Sequence, residues 1–261
     1  MIRNLTLLPG GKFGRTLAFL AAVITVVTPL LAFPVHADAQ RRFSRTFPAS
    51  SNVRLQLTNR SGTVTVEGWN KDEVNVSAYL EAPAATIEPK VVSGTIYINL
   101  VKDNQGRSDV GNVNFTIRVP FTSSVDIETL MGNLIVSDIR GALVRAHITS
   151  EGDITLTNII SPAVSVQNGI GDIFFDGELK PDGNYRFTSV RGNINLRIPF
   201  TSSFRLVATA PSTRRISLGS FANANMTYTG DGRRVVGSFG NGSAATMTVT
   251  NQRGSIAFIP R

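Results

Sequence analysis

Apolar and polar residues alternate at a period of two over most of this chain, and one short cluster keeps returning: glycine, a small polar residue, then apolar, any, apolar. It reads Gly62-Thr-Val-Thr-Val66, Gly94-Thr-Ile-Tyr-Ile98, Gly111-Asn-Val-Asn-Phe115, Gly132-Asn-Leu-Ile-Val136, Gly152-Asp-Ile-Thr-Leu156, Gly171-Asp-Ile-Phe-Phe175, Gly192-Asn-Ile-Asn-Leu196 and Gly254-Ser-Ile-Ala-Phe258. The glycines at 111, 132, 152, 171 and 192 are spaced by 21, 20, 19 and 21 residues. A second alternating segment follows six of these clusters, at Val74 to Ala78, Val125 to Thr129, Val144 to Ile148, Val164 to Asn168, Tyr185 to Ser189 and Phe204 to Ala208. Alternation of this kind predicts short strands with one apolar face and one wet face.

Between the two strands of a unit a large apolar residue recurs, as Trp69, Ile139, Ile159 and Leu179, and is read as a corner plug. Glycine supplies the positive φ that a tight corner needs, and the neighbouring Asn or Asp can hydrogen-bond the local backbone. A longer duplication supports the repeat: Arg118-Val-Pro-Phe-Thr-Ser-Ser124 returns as Arg197-Ile-Pro-Phe-Thr-Ser-Ser203. Its prolines, which cannot donate to a ladder, belong at turns or edges. Units of about twenty residues cannot bury an apolar face alone, but stacked units can. The expected fold is therefore all-β, a single β-helix-like solenoid over residues 40–261 with about ten coils of roughly 20 residues. A β-sandwich would also give frequent turn signals, yet has no reason to repeat one motif at a near-constant interval.

Composition adds an expected destination. Arg3, Lys12 and Arg15 lead into the apolar run Leu17 to Phe33 and then to small residues at Ala37 and Ala39. That is the pattern of an export signal over residues 1–37, with cleavage after 37 or 39. The run is interrupted by Thr25, Thr28 and Pro29, which argues against a retained membrane span, so no transmembrane segment is expected after cleavage. The net charge is +8, and losing residues 1–37 removes three basic residues and no acid, leaving +5. With no Cys anywhere, neither disulfides nor thiolate metal sites hold the chain together.

The segments Val53-Arg-Leu-Gln-Leu-Thr-Asn-Arg-Ser-Gly-Thr-Val-Thr-Val-Glu-Gly-Trp69, Gly132-Asn-Leu-Ile-Val-Ser-Asp-Ile-Arg-Gly141 and Met247-Thr-Val-Thr-Asn-Gln-Arg-Gly-Ser-Ile256 resemble the bacterial putative-adhesin family of unknown function, adhesin-like β-solenoids related to head-GIN domains. The resemblance covers most of residues 43–259. It implies a cell-envelope or surface role and brings no catalytic residues with it.

Chemistry is sparse. His36 and His147 are the two histidines, and there is no Gly-x-Ser-x-Gly elbow or phosphate loop. No catalytic, metal or cofactor residue is assigned, and an enzyme is not expected. Glu151, Asp153, Asp172 and Asp176 fall on successive coils, where carboxylate spacing could suit a polysaccharide-cleaving pair, but acids beside turn glycines are ordinary corner residues. Stacking the second strands in chain order places Asp126, Arg145, Ser165, Arg186 and Arg205 at one outward position. Arg145, Arg186 and Arg205 are the candidate face for an anionic glycan, lipopolysaccharide or surface polymer, since the guanidinium fork suits carboxylates and phosphates. Nucleic acid is not expected, because the basic charge is small and not interleaved with aromatic residues.

These readings converge on a non-enzymatic exported protein of the periplasm, outer surface or medium, acting as an adhesin or as a structural or ligand-binding solenoid. Two alternatives stand beside it: an envelope sensor or accessory protein docking a membrane partner, and a polysaccharide-active enzyme.

Overall fold

The structure is a computed structural model that describes residues 41–229, 232–241 and 244–261. The expected export signal and His36 lie outside the described residues. The fold is all-β. An opening block comprises β1 (Arg41–Pro48), β2 (Arg54–Asn59), β3 (Val64–Trp69), β4 (Glu73–Leu80), β5 (Lys90–Val92), β6 (Thr95–Asn99) and β7 (Val113–Pro120). The regular middle follows as β8 (Ser124–Met131), β9 (Leu134–Ser137), β10 (Leu143–Glu151), β11 (Ile154–Ile159), β12 (Ala163–Ile170), β13 (Ile173–Gly177), β14 (Asn184–Arg191) and β15 (Ile194–Ile198). The chain closes with β16 (Phe204–Thr209), β17 (Ile216–Ser217), β18 (Met226–Thr229), β19 (Arg234–Phe239), β20 (Ala245–Arg253) and β21 (Ile256–Pro260).

These strands form two large mixed sheets. The first runs β1-β4-β7-β3-β9-β11-β13-β15-β21-β17 and the second β18-β19-β16-β20-β14-β12-β10-β8-β2-β6-β5. From β8 to β15 the chain passes from one sheet to the other at every turn, and strands of successive repeats pair in parallel. In place of about ten uniform coils, each sheet holds a run of eight parallel strands, with antiparallel strands at one end of the first sheet and at both ends of the second.

The apolar face of each strand is what aligns the repeats. Val66, Val136, Leu156, Phe175, Leu196 and Phe258 fall on directly paired positions of the first sheet, and all are buried. Val125, Val144, Val164, Tyr185 and Met247 do the same in the second. Both sets belong to one core, closed at the corners by fully buried Ile139 and Ile159. Trp69 is half-buried and donates its indole N–H to the Glu73 carbonyl at 2.8 Å.

The glycine turns stack as closely as the strands. A Cβ on Gly152 would sit 2.1 Å from the carbonyl oxygen of Gly132, one on Gly171 2.1 Å from that of Gly152, and one on Gly192 2.0 Å from that of Gly171. Beside this column the following residues form a ladder: Asn133 Oδ1 accepts from the Asp153 N–H (2.9 Å), Asp153 Oδ1 from the Asp172 N–H (2.8 Å) and Asp172 Oδ1 from the Asn193 N–H (2.7 Å). A buried polar row ends the second-sheet strands before the turn, where Asn168 donates to the Gly152 carbonyl (2.9 Å) and Asn251 to that of Gly192 (2.8 Å). Carbonyls that the tight turn takes out of the ladder thereby keep a donor.

Three expectations change. Val74 to Ala78 is a strand, but β4 pairs antiparallel with β1 and β7 in the first sheet, not opposite β3. Gly94 belongs to a hairpin: β5 and β6 pair antiparallel across Ser93 (φ 48) and Gly94 (φ 73), and no atom lies within 4 Å of a Cβ built there. The last repeat is inserted out of chain order, so that β20 lies between β14 and β16.

Candidate ligand-binding face

The outward positions of the second sheet carry the arginines singled out in the sequence. Period two sends Tyr185, Phe187, Met247 and Val249 into the core and leaves Arg186, Thr188, Thr246, Thr248 and Thr250 outside. Pairing brings Gln56, Asp126, Arg145, Ser165, Arg186 and Thr248 into one row. Arg145 and Arg186 therefore share a row, with Ser165 between them. Arg205 does not join it, because β20 is interposed: Arg186 pairs with Thr248 and Arg205 with Thr246. Two strand spacings, about 10 Å, separate the strands of Arg186 and Arg205.

Charge divides this face into two halves. On the β2–β8–β10 side Asp126 is buried between two arginines, with Arg54 Nη2 at 2.9 Å and Arg145 Nη1 at 3.4 Å. Glu128 stands next to His147, 3.9 Å from its Nδ1. Arg145 is thus an ion-paired residue of a nearly balanced cluster. On the other side the six neighbouring strands β12, β14, β20, β16, β19 and β18 contain no Asp or Glu at all, yet carry Arg186, Arg191, Arg205, Arg234 and Arg253. Arg186, Arg205 and Arg234 are exposed, and among the described residues their side chains make no ion pair or hydrogen bond. Thr188, Thr246, Thr248 and Thr250 set hydroxyls between them. A field with guanidinium donors, hydroxyls and no carboxylate in its strands attracts extended anions.

Beneath this field Tyr185 fixes strand β14. Its hydroxyl donates to the Ser161 carbonyl at 2.8 Å and accepts from the Lys180 N–H at 2.7 Å. Burial pushes its pKa above the ordinary tyrosine value, partly offset by the Lys180 N–H.

Three of the four acids considered for cleavage chemistry are otherwise occupied, and Glu151 is exposed at the end of β10. One oxygen each of Asp153 and Asp172 serves the turn ladder. Asp176 is buried against Arg197 and Arg261, each at 3.5 Å. Among the described residues no group of three or more His, Asp or Glu is arranged to hold a metal, and no helix is long and apolar enough to cross a membrane.

Sequence reasoning missed Arg234 and the threonines of β20 because it stacked strands in chain order. The absence of acids from these segments was a readable signal, whereas their adjacency was not.

No family model matches the chain, and no curated protein matches it significantly by sequence. Solved structures similar to it include a putative cell adhesion protein from Clostridium sporogenes (TM-score 0.46, 13% identity, covering 84% of this chain and 98% of that one). A putative adhesin from Bacteroides fragilis has TM-score 0.35 and 8% identity, covering 85% and 98%. A putative lipid binding protein from Parabacteroides distasonis has TM-score 0.36 and 12% identity, covering 84% and 97%.

Proposed function

We propose that this protein is a non-enzymatic, adhesin-like module of the bacterial envelope or surface, a β-solenoid exported through residues 1–37, that holds an acidic polysaccharide or comparable surface polyanion on its second sheet. The observation that carries this reading is the run of six adjacent strands with five arginines and no carboxylate. Of the arginines expected to form the ligand face, Arg186 and Arg205 keep that role, Arg234 joins them, and Arg145 contributes little while Asp126 neutralises it. A rigid sheet loses little freedom on binding, so weak contacts spread along a polymer add up. Backbone N–H groups engage Asp153 and Asp172 and arginines engage Asp176, which supports the non-enzymatic reading.

The test is retention on an immobilised sulfated or uronate-rich polysaccharide, with neutral dextran as the control. The protein is expected to bind the anionic matrix, elute with salt and ignore dextran. The variant Arg186→Gln/Arg205→Gln/Arg234→Gln is expected to lose about tenfold or more in affinity while melting normally. Equal retention of the triple variant, or equal binding to dextran, rejects the proposal.

A further inference from the structure

A second feature lies at the rim of the same sheet, just before the glycine turns. Arg191 and Arg253 occupy directly paired positions on neighbouring parallel strands, and both are exposed. Among the described residues neither side chain has a carboxylate within ion-pair distance. Like charges held side by side on adjacent strands repel, so an anion seated between them relieves the fold as well as being bound.

What continues from this pair is apolar. In the same register Ile170 lies beside Arg191, followed by Glu151 and Met131. Val190 and Leu130 occupy the adjoining positions. Leu130, Met131, Ile170 and Val190 are 43%, 45%, 42% and 41% exposed, although nearly every other aliphatic side chain of these strands is buried. From Met131 to Arg253 the row spans four strand spacings, about 20 Å. Beyond Leu130 it opens into a hollow of about 480 Å³ lined by Leu100, Val101, Arg60 and Arg107. Glu151 is the one acid in the row and lies two strands from Arg191. Asp153 and Asp172, across the turn, each have an oxygen held by a backbone N–H.

We propose that this rim rests on an anionic phospholipid surface, with lipid phosphates between Arg191 and Arg253 and with Ile170, Val190, Met131 and Leu130 entering the headgroup boundary. Paired positions carry the row across five neighbouring strands, and so extended an amphipathic edge fits a plane better than it fits a compact partner. Charge and apolar contact are both needed, since a peripheral contact with one signal alone is weak.

The experiment is cosedimentation of the purified protein with phosphatidylcholine vesicles and with mixed phosphatidylcholine–phosphatidylglycerol vesicles. Binding is expected to the mixed vesicles and to be about tenfold or more weaker to the neutral ones. Arg191→Gln/Arg253→Gln and Ile170→Ser/Val190→Ser are each expected to lose most of it. Arg186→Gln/Arg205→Gln/Arg234→Gln is expected to keep it, which separates this rim from the polysaccharide face, and melting curves check that every variant is folded. Equal binding to both vesicle types, no binding, full binding by either rim variant, or loss of binding in the face variant overturns the proposal. Inorganic phosphate protecting Arg191 and Arg253 without any vesicle binding also overturns it, in favour of a free anion.

Discussion

Replacing Gly152 by alanine tests the stacking of the turns. The added Cβ would lie 2.1 Å from the Gly132 carbonyl oxygen and 2.6 Å from its carbon, both backbone atoms that no rotamer change can move. Relief requires the two turns to separate by about 1 Å, against an ordinary carbon–oxygen contact of somewhat over 3 Å. That movement stretches the Gly132 N–H bond to Glu151 (2.8 Å), the Leu134 N–H bond to Asp153 (2.9 Å) and the Asn133 side-chain bond to the Asp153 N–H (2.9 Å). At about 1 kcal/mol for each weakened bond and about 1–2 kcal/mol for a side chain at positive φ, the cost is about 4 kcal/mol. Gly94→Ala is the control. Its φ is also positive, but nothing lies within 4 Å, so only the backbone term of about 1–2 kcal/mol applies. Equilibrium urea unfolding of both variants measures the difference. A gap of about 2–3 kcal/mol is expected, and a Gly152→Ala protein as stable as Gly94→Ala would refute the stacked-turn argument.

Two further outcomes follow from the face itself. Tyr185→Phe leaves the Lys180 N–H and Ser161 carbonyl without their buried partner and is expected to cost about 1–3 kcal/mol by urea unfolding. Because the folded protein holds the tyrosine proton more tightly than the unfolded chain, this residue's contribution is complete below about pH 10 and is lost as pH rises through the raised folded value, so the wild type should lose more stability than Tyr185→Phe in that range. Asp126→Asn releases Arg54 and Arg145 from their shared carboxylate. With both arginines half-exposed the stability change should stay within about 1 kcal/mol, while affinity for an acidic polysaccharide, measured by salt elution, should rise severalfold.

How much of this was legible in the sequence depends on what period two can encode. Alternation identified the inward residues correctly at Val136, Leu156, Phe175 and Leu196, and the interval of about twenty residues brought them onto paired positions. It does not say which strands are neighbours. A strand presents the same alternating face whether it pairs parallel or antiparallel, so Val74 to Ala78 read like any second strand although β4 turns back within the first sheet. Positive φ is likewise common to a stacked turn and a hairpin, and Gly94 could not be told from Gly152 until the surrounding atoms were placed. The ligand face suffered most from this ambiguity. Arg186 and Arg205 were recognised as outward residues, but the long segment between β16 and β20 hid the insertion of β20 between them. Asp153 and Asp172 were read correctly as turn residues, since an Asp beside a turn glycine needs only a backbone N–H within reach, which the next repeat supplies, whereas Glu151 and Asp176 lie within strands.

The separation of Arg186 from Arg205 by the threonines of β20 requires β20 to lie between β14 and β16, and the absence of native cysteines makes that order directly measurable. Thr188 pairs with Thr250 across β14 and β20, whereas stacking in chain order would pair Thr188 with Val207. Neighbouring strands bring paired Cα atoms within the distance a disulfide spans, and a second strand spacing does not. Mild oxidation of Thr188→Cys/Thr250→Cys is expected to give an intramolecular disulfide, with Thr188→Cys/Val207→Cys remaining reduced. Cross-linking of the second pair and not the first would contradict the strand order and the binding face built on it.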